Sequence, residues 1–387
     1  MLKSKVGYSN KTDAYEAGIE TATMATEKLK PKIGLLFNSV GYNQEKLIAG
    51  IKSIIPEMDV IGCTSSQGIL VPEGYIIDKT GAAEMLTFDD EDMDISCYGM
   101  AKEKNARETG RQVAIKALEK SGFNYAPDYF YMSASPKEEE EYIKGIQDVI
   151  GRVPCFGGSA ADDNDNGNWL LFYNDNIFSD GVVVAFFYTN KEINTIYTGA
   201  YTETKDMGII TKLNSNRVLA EIDGEKALEK YKKWRKLNDE ELKEKKLATT
   251  TITSPLGIKD RLGNLIAIRH PIKGNNDGSM YVRANLSTGT AVIRMESSVD
   301  ELINSVGKAL KELKKKTPNA GSCILIHSGY RCIEIRDRMN EVYEQIKNEL
   351  GDIPFITIFT SSEYGYTEDD QANTTGGLML SFTAFEK

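Results

Sequence analysis

Three segments of this 387-residue chain repeat one order of elements, and an internal repeat constrains a fold more strongly than any single motif. Each segment is predicted to run strand, helix, buried strand, helix, strand, and a last strand closes it. The segments lie near residues 5–88, 94–188 and 289–385. A chain of this length is too long for one ordinary core, so the repeat predicts several units that pack against one another.

The third strand of each segment ends in small and hydroxyl residues, and the spacing of this ending supports the repeat. The endings read "GCTSS" at 62–66, "GGSAADD" at 157–163 and "FTSS" at 359–362. They follow the polar end of the preceding buried strand by 25 residues in the first segment, 26 in the second and 32 in the third. The hydroxyl-rich turn is therefore predicted to belong to the unit rather than to stand as an isolated motif.

Apolar patterns define the helices and strands of these units. Apolar residues at helical spacing form one stripe from Val299 to Leu313, and Ser298 with Glu301 predicts a capping box at the start of that helix. Continuous runs such as "CILI" and "VVVAFF" indicate strands covered on both faces. The first strand of the third segment is assigned to "GTAVIRME". The predicted fold class is α/β (mixed α+β), with repeated β-α-β-α-β-β units forming mixed sheets covered by helices.

The stretch between the second and third segments stands outside the repeat. It is β-rich, it contains a predicted surface helix with many lysines and glutamates at 225–246, and its "NNDG" predicts a hairpin turn. The predicted division places two units in a domain of residues 1–200. A second domain, 201–387, is predicted to contain the β-rich insertion, 201–285, and the third unit.

Composition excludes several classes of protein. The net charge of −10 argues against binding to nucleic acid and against docking on an anionic membrane, both of which need a basic surface. No apolar run approaches the roughly 20 residues that a membrane span needs, and the first residues lack the apolar region of a secretory signal. Five cysteines without a CxxC pair indicate reduced, buried thiols. A cytoplasmic location is expected.

The order of these motifs resembles the FIST domain family, with its N-terminal and C-terminal halves in tandem. The N-terminal half is matched by "VIGCTSS" and "GGSAADD". The C-terminal half is matched by "GAYTETKDMGIITKLNSNRVLAEIDGEKALEKY", "IRHPIKGNNDGSMYVRANLSTGTAVIRM", "HSGYR" and "FTSSEYG". The resemblance covers residues from about 5 to 385 and implies a sensor of small ligands, amino acids among them. Because no kinase, cyclase or chemotaxis segment is present, output is expected to pass through a separate signalling protein.

Ligands of α/β proteins commonly bind beyond the carboxyl ends of strands, so the candidate contacts are taken from these positions. The predicted ligand-binding residues are Cys63, Thr64, Ser65, Ser66, Ser159, Asp162, Asp163, His327, Ser328, Arg331, Thr360, Ser361 and Glu363. Arg331 offers a fork for a carboxylate, an acid such as Glu363 suits an amine, and the hydroxyls supply neutral hydrogen bonds. A structural pair between Arg331 and Glu363, and turn-capping by the hydroxyls, are the alternatives. The cleft is predicted between the first and last units.

Two other functions stay open. The chain could be an amidohydrolase that uses Cys63 or Ser328 with His327, or an interaction scaffold without a ligand. It contains no GxSxG, HExxH, GxGxxG or P-loop motif, and no metal or cofactor is expected. The acidic run at 162–167 resembles the start of a calcium loop, but Tyr173 stands where a bidentate glutamate is needed, so an Asx-rich turn is predicted. The preferred prediction is a sensor without enzymatic activity.

Overall fold

Each of the three segments folds around a parallel pair of strands that helices cover on one face. The computed structural model describes residues 1–164, 166–238, 247–259, 265–367 and 371–387. The first unit consists of β1 (Lys3–Ser9), α1 (Ala14–Thr26), β2 (Ile33–Ser39), α2 (Gln44–Ile54), β3 (Asp59–Ser65), β4 (Ile69–Val71), β5 (Gly74–Ile76) and β6 (Ala83–Asp89). Asp13 and Asn43 start its two helices, since their side chains accept hydrogen bonds from backbone N–H groups of the first turn.

The second unit repeats this order. It consists of β7 (Met93–Ala101), α3 (Ala106–Ser121), β8 (Tyr129–Ala134), α4 (Glu139–Ile150), β9 (Cys155–Ser159), β10 (Leu171–Tyr173), β11 (Asn176–Phe178) and β12 (Gly181–Thr189). The helix pairs of both units cross at glycines. A Cβ at Gly50 would lie 2.1 Å from the carbonyl oxygen of Tyr15, and one at Gly145 would lie 1.9 Å from that of Arg107. The repeat therefore extends to the way in which the helices pack.

The third unit begins much earlier in the chain than the sequence predicts. Its first strand is β13 (Ile193–Thr198), which pairs antiparallel with the last strand, β26 (Leu380–Glu386). The rest of the unit is α7 (Val299–Lys316), β22 (Ala320–Ser328), α8 (Gly329–Ile335), a 3₁₀ turn (Arg336–Arg338), α9 (Met339–Leu350), β23 (Phe355–Thr360), β24 (Glu363–Thr367) and β25 (Ala372–Gly376). The capping box predicted at Ser298 and Glu301 is confirmed.

The assignment of "GTAVIRME" to the third unit is wrong. This segment forms β21 (Ala291–Glu296), which pairs with two strands of the insertion, β14 (Thr202–Ser215) and β17 (Leu256–Lys259). The insertion therefore lies between the first strand and the first helix of the third unit. The prediction failed because β21 directly precedes the helix of the third unit, whereas β13 precedes the β-rich insertion. The pairing of β13 with a strand more than 180 residues later has no local signature in the sequence.

The insertion folds as an eight-stranded antiparallel sheet of its own. In addition to the strands already named it contains β15 (Val218–Ile222), β16 (Glu225–Lys226), α5 (Ala227–Arg235), α6 (Leu247–Thr250), β18 (Leu265–Arg269), β19 (Pro271–Gly274) and β20 (Met280–Val282). The hairpin predicted at "NNDG" is confirmed, because β19 and β20 pair around it. The predicted helix at 225–246 is confirmed only over α5, because residues 225–226 form β16 and the helix ends before Lys236, whose backbone is left-handed; residues 239–246 lie outside the described residues.

The three units exchange their short hairpins. Hairpin β4–β5 of the first unit extends the sheet of the third, hairpin β10–β11 of the second extends that of the first, and hairpin β24–β25 of the third extends that of the second. The strand orders are β1-β6-β2-β3-β10-β11, β7-β12-β8-β9-β24-β25 and β13-β26-β22-β23-β4-β5. Each sheet thus takes its last two strands from another unit, and the arrangement closes in a cycle.

The inner faces of the three sheets share one apolar core. Its members from the parallel strand pairs include Leu35, Phe37 and Ile61 of the first unit, Tyr131 and Phe156 of the second, and Ile324, Ile326, Ile356 and Ile358 of the third. The helices lie on the outer faces, where each pair covers a core of its own. Strands buried on both faces explain the continuous apolar runs in the sequence. The predicted fold class is confirmed.

Candidate functional site

The hydroxyl-rich ends of β3, β9 and β23 meet at the axis around which the three units are arranged. Backbone hydrogen bonds join them directly. The N–H of Ala161 donates to the Thr64 carbonyl at 2.9 Å, that of Ser66 to Phe359 at 3.0 Å, and that of Ser159 to Ser362 at 2.8 Å. The recurrence of the turn in the sequence therefore has a structural cause, since three equivalent strand ends converge here.

Small residues are needed where these strand ends cross. A Cβ placed on Gly158 would lie 2.5 Å from Cγ2 of Thr360 and 2.9 Å from the carbonyl oxygen of Ser362. A Cβ on Gly329 would lie 2.3 Å from Oγ of Ser66. Larger side chains at these positions would force the turns apart.

Three of the predicted contact residues use their hydroxyls for hydrogen bonds within the fold. Thr64 Oγ1 donates to the Ala161 carbonyl at 2.8 Å. Ser65 Oγ accepts from the N–H of Phe359 at 3.0 Å. Ser159 Oγ donates to Oε1 of Glu139 at 2.9 Å, in the core of the second unit. These side chains do not line the cavity described below, and their contacts agree with the alternative that the hydroxyls cap turns.

Cys63 also faces the interior. Its Sγ lies 3.3 Å from Oγ of Ser133, and the thiol is fully buried in the shared core. Burial raises the pKa of Cys63 to about 12, and the hydrogen bond with Ser133 opposes this shift only in part. The thiol is therefore protonated at neutral pH.

A cavity of about 150 Å³, which we call the axial cavity, opens beyond the three strand ends. Five of the predicted residues line it, from all three units: Ser66, Asp162, Asp163, Thr360 and Ser361. The remaining predicted residues do not: Cys63, Thr64, Ser65, Ser159, His327, Ser328, Arg331 and Glu363. The structure thus brings together a subset of the predicted contacts at the predicted junction, and their role in binding stays a prediction.

The two aspartates of the axial cavity differ in how much of their carboxylate is already bound. Asp162 accepts hydrogen bonds from the backbone N–H groups of Asn164, Asn166 and Asn168, at 2.7 to 3.1 Å, as expected for the predicted Asx-rich turn. Asp163 uses Oδ1 to accept from the N–H of Gln67 at 2.7 Å. Within the described parts of the chain its Oδ2 has no partner, so this oxygen is available to a ligand.

The hydroxyls of the cavity also differ. Thr360 Oγ1 donates to Oε1 of Glu363 at 3.0 Å, and Ser66 Oγ donates to the Phe359 carbonyl at 3.3 Å. Ser361 is 8% exposed, and its Oγ has no hydrogen-bond partner among the described residues. A buried hydroxyl without a partner loses about 1 to 3 kcal/mol relative to water, which a ligand in the cavity would recover.

The charged residues predicted for the cleft lie behind the cavity wall. Arg331 is fully buried, and its Nη2 donates to the Leu302 carbonyl at 2.7 Å and to Oγ of Ser305 at 2.6 Å, both on α7. Glu363 is buried as well, and burial raises the pKa of its carboxyl to about 8. Its Oε2 accepts from the N–H of Met379 at 2.8 Å. Neither side chain presents a charge to the axial cavity.

His327 is likewise enclosed at the end of β22. Its Nδ1–H donates to the Ser328 carbonyl at 2.9 Å, and its ring stacks edge-on to Phe359 with centroids 5.5 Å apart. Burial, together with the positive charge of Arg331, lowers the pKa of His327 to about 3. The imidazole is therefore neutral at neutral pH.

The insertion supplies a wall of the cavity that sequence reasoning missed. Ala248 and Thr249 of the short helix α6 line it, opposite Tyr330 and Ile333 of α8. His270 ties α6 to the insertion sheet, because its Nε2–H donates to the Ala248 carbonyl at 2.7 Å. No local pattern marks "LATT" as a binding segment, since only the fold of the insertion carries it to the axis.

Among the described residues, no three acidic, histidine or cysteine side chains are grouped closely enough to hold a metal ion. Nor does any helix in those ranges have the length and apolar character needed to cross a membrane.

Three β-α-β-α-β-β units that exchange their hairpins, with a small polar cavity where their strand ends meet, define the class of fold. The chain matches the FIST N domain over residues 32–225 and the FIST C domain over residues 227–366. This chain belongs to the FIST family, which confirms the resemblance drawn from its motifs. FIST domains are associated with sensory signal transduction.

Similarity to individual proteins is distant. An uncharacterized protein of Methanocaldococcus jannaschii is 24% identical over 348 residues, which cover 82% of this chain and 65% of that protein. The chain thus spans less than two thirds of this relative's length. Among solved structures, a cyanuric acid hydrolase from A. caulinodans shares 8% identity with full coverage of both chains and a TM-score of 0.39. PurLQS from Thermotoga maritima shares 8% identity, covering this whole chain and 72% of that one, with a TM-score of 0.24.

Proposed function

We propose that this protein binds a small polar metabolite, such as an amino acid, in the axial cavity and signals through a separate partner protein without catalysing a reaction. The observation that carries this proposal is Ser361, which lines the cavity and whose buried Oγ has no partner among the described residues. Asp163 lines the same cavity, and its unused Oδ2 suits an ammonium group.

The size of the cavity supports a small ligand. Its volume of about 150 Å³ is well below the roughly 300 to 1,000 Å³ of sites for drug-sized molecules. Its polar lining comes from all three units, so an occupant would contact each of them. This arrangement suits a ligand that is enclosed and recognised by a few hydrogen bonds.

The position of α6 supports a sensory role. A ligand in the axial cavity would touch Thr249 of the insertion and Ser361 of the third unit at the same time. Binding would therefore favour one placement of the insertion relative to the three units. A partner protein that reads the insertion surface would then respond to occupancy of the cavity.

The alternative, hydrolysis by Cys63 or Ser328 with His327, is less well supported. A general base works best with a pKa near the operating pH, and burial lowers that of His327 to about 3. Cys63 is a protonated thiol in the shared core, and it does not line the axial cavity. These features favour binding over catalysis.

Cys63 is expected to resist alkylation in the folded protein. With a pKa of about 12, only about one thiol in 10⁵ is ionised at pH 7, and the thiolate is the reactive form. Iodoacetamide at neutral pH should label Cys63 slowly in the native state and rapidly in denaturant, followed by peptide mass spectrometry. A Cys63→Ala variant identifies the labelled peptide. Rapid stoichiometric labelling of the native protein would contradict both the burial and the sensor proposal.

Ser361→Ala is expected to weaken ligand binding by about 0.5 to 1.5 kcal/mol, because it removes one hydrogen bond to the occupant. A thermal-shift screen of amino acids and small carboxylates identifies the ligand, since a ligand at 100 times its Kd stabilises a protein by about 2.7 kcal/mol. Calorimetric titration of the variant then measures the loss.

Ser362→Ala is the matched control for this experiment. Ser362 is the next residue, it is buried, and its Oγ also has no partner among the described residues, but it does not line the axial cavity. The control should bind as the wild type does. Equal losses in the two variants, or no loss in Ser361→Ala, would place the ligand elsewhere.

A further inference from the structure

A second cavity of about 350 Å³, which we call the outer groove, lies directly beside the axial cavity. Ile333 lines both of them, and Gln67 of the groove follows Ser66 of the axial cavity in the chain. One wall of the groove is hairpin β4–β5 of the first unit, with Tyr75, and the other is the 3₁₀ turn after α8, with Arg336. The two cavities therefore form neighbouring compartments at one junction between units.

Arg336 provides an unused cation in the outer groove. Its Nε donates to the Ile333 carbonyl at 3.2 Å, which fixes the root of the guanidinium. In the described ranges its two Nη nitrogens have no partner, so the fork that recognises a carboxylate remains open. Its neighbour Arg338 differs, because that guanidinium is paired with Glu341 and Asp300.

Backbone strain occurs on both walls of the groove. Arg336 has φ 52° and ψ −121°, and Gln67 has φ 58°, in a region that residues other than glycine rarely adopt. The Gln67 conformation is held by Asp163, whose Oδ1 accepts from its N–H. Strain of this kind is retained where surrounding contacts enforce it, and it is common at ligand sites.

Asp163 is the acid of the axial cavity whose carboxylate keeps an oxygen without a partner among the described residues. It lines the axial cavity, and its field also reaches the groove. Burial is the main cause of the raised pKa of Cys332, about 12, and of Tyr75, and the charge of Asp163 adds to both shifts. An anionic group and a cationic group thus line two neighbouring cavities. Asp337 also lines the groove, which makes the groove polar rather than uniformly positive.

We infer that the axial cavity and the outer groove bind one elongated zwitterion, with its ammonium group at Asp163 and Ser361 and its carboxylate at Arg336. The inference rests on the proposed function and specifies the ligand class as a linear ω-amino acid or a short peptide. In an α-amino acid both charged groups are attached to one carbon, so a single compartment would have to hold them. Asp163 lines only the axial cavity and Arg336 lines only the groove, so an occupant that pairs with both must extend across the two compartments.

The test is calorimetric titration of the full chain with 6-aminohexanoate, hexylamine, hexanoate and alanine. We expect 6-aminohexanoate to bind at least about tenfold more tightly than each of the other probes, because a charge-assisted hydrogen bond contributes on that scale. Arg336→Gln should remove this preference and leave hexylamine binding unchanged. Asp163→Asn keeps the oxygen that holds Gln67 and should weaken both 6-aminohexanoate and hexylamine.

Arg338→Gln is the matched control. It also removes a positive charge, only two residues from Arg336, but the Arg338 side chain lines neither cavity. It should bind all four probes as the wild type does. If alanine or hexylamine binds in a manner that depends on Ser361 but 6-aminohexanoate has no advantage, or keeps its advantage in Arg336→Gln, the inference fails and the proposed function stands. If none of the probes binds the wild type, the inference fails, and the thermal-shift screen decides the proposed function separately.

Discussion

Fragments of residues 1–200 and 201–387, produced separately, are each expected to lack a cooperative unfolding transition. The cut separates hairpin β24–β25 from the sheet of the second unit and hairpin β4–β5 from the sheet of the third. It also divides the shared core, which takes apolar side chains from all three sheets. Exposed strand edges and half of a core cannot offset the chain entropy lost on folding. Thermal unfolding followed by circular dichroism would show a broad, low-amplitude change for either fragment.

Co-expression of the two fragments is the control for this experiment. If the loss arises from missing partners, the fragments should copurify and recover one sharp transition. A sharp transition in the isolated 1–200 fragment would show that the first two units are stable without the third, and it would contradict the dependence on exchanged hairpins.

Arg217→Met is expected to destabilise the protein by about 3 to 5 kcal/mol, the range measured when one partner of a buried ion pair is removed. Arg217 of the insertion forms ion pairs with Glu139 and Glu140 at the start of α4, and Glu139 is fully buried. Oε1 of Glu140 also accepts hydrogen bonds from the N–H of Asn285 at 2.7 Å and from Oγ1 of Thr375 at 2.9 Å. The substitution therefore leaves a buried charge in a cluster that joins the second unit, the insertion and the third unit. Denaturant unfolding measures the loss.

The same variant should change the pH dependence of stability. Burial is the largest single influence on the pKa of Glu139 and raises it, but the attraction to Arg217 and the hydrogen bonds from Arg217, the backbone and Ser159 together lower the net pKa from 4.5. A lowered pKa contributes stability above the unfolded value, and this contribution is lost as the pH falls through the folded value. In Arg217→Met the burial remains and only the hydrogen bonds from the backbone and Ser159 oppose it, so the pKa of Glu139 should rise. The variant should then regain stability relative to the wild type as the pH is lowered.

The double variant Glu139→Gln, Arg217→Met tests the cause. A neutral amide at position 139 removes the buried charge, so the double variant should be more stable than Arg217→Met alone and should lack its recovery in acid. If the single and double variants lose equal stability at pH 7, the loss comes from packing around Arg217 rather than from the unpaired carboxylate.

The order of elements within each unit was largely predictable, because it rests on local physics. Helix α7 follows from a stripe of apolar residues and a capping box at Ser298, and both signals lie within a few residues of the structure they cause. The short strands of the exchanged hairpins carry no such signal. Strand β4 (Ile69–Val71) is three residues long, and its partner β23 is almost three hundred residues away. Only the closed cycle of units selects that pairing.

The sequence predicted which turns lie together, and it predicted less well which of their side chains line a cavity. A turn that recurs in three units must recur at equivalent places, so Ser66, Asp163 and Ser361 were expected to lie near one another. The direction in which a side chain points could not be predicted in the same way, because it depends on tertiary contacts. The Arg331 side chain points toward α7, where Oγ of Ser305 and the Leu302 carbonyl accept its hydrogen bonds. Arg336, five residues later at the start of the 3₁₀ turn, lines the outer groove instead.

The sequence by itself determined the repeat, the family and the hydroxyl-rich strand ends, because periodicity, capping and small residues act over short distances along the chain. Tertiary structure alone decided which unit each hairpin completes, that β13 and not β21 opens the third unit, and that α6 covers the axial cavity. It also decided which polar groups form hydrogen bonds within the protein and which have no partner there. Thr64 and Ser361 are both hydroxyl residues in the same repeated turn, and only the packing of three units around one axis gives the first its partners and leaves the second without one.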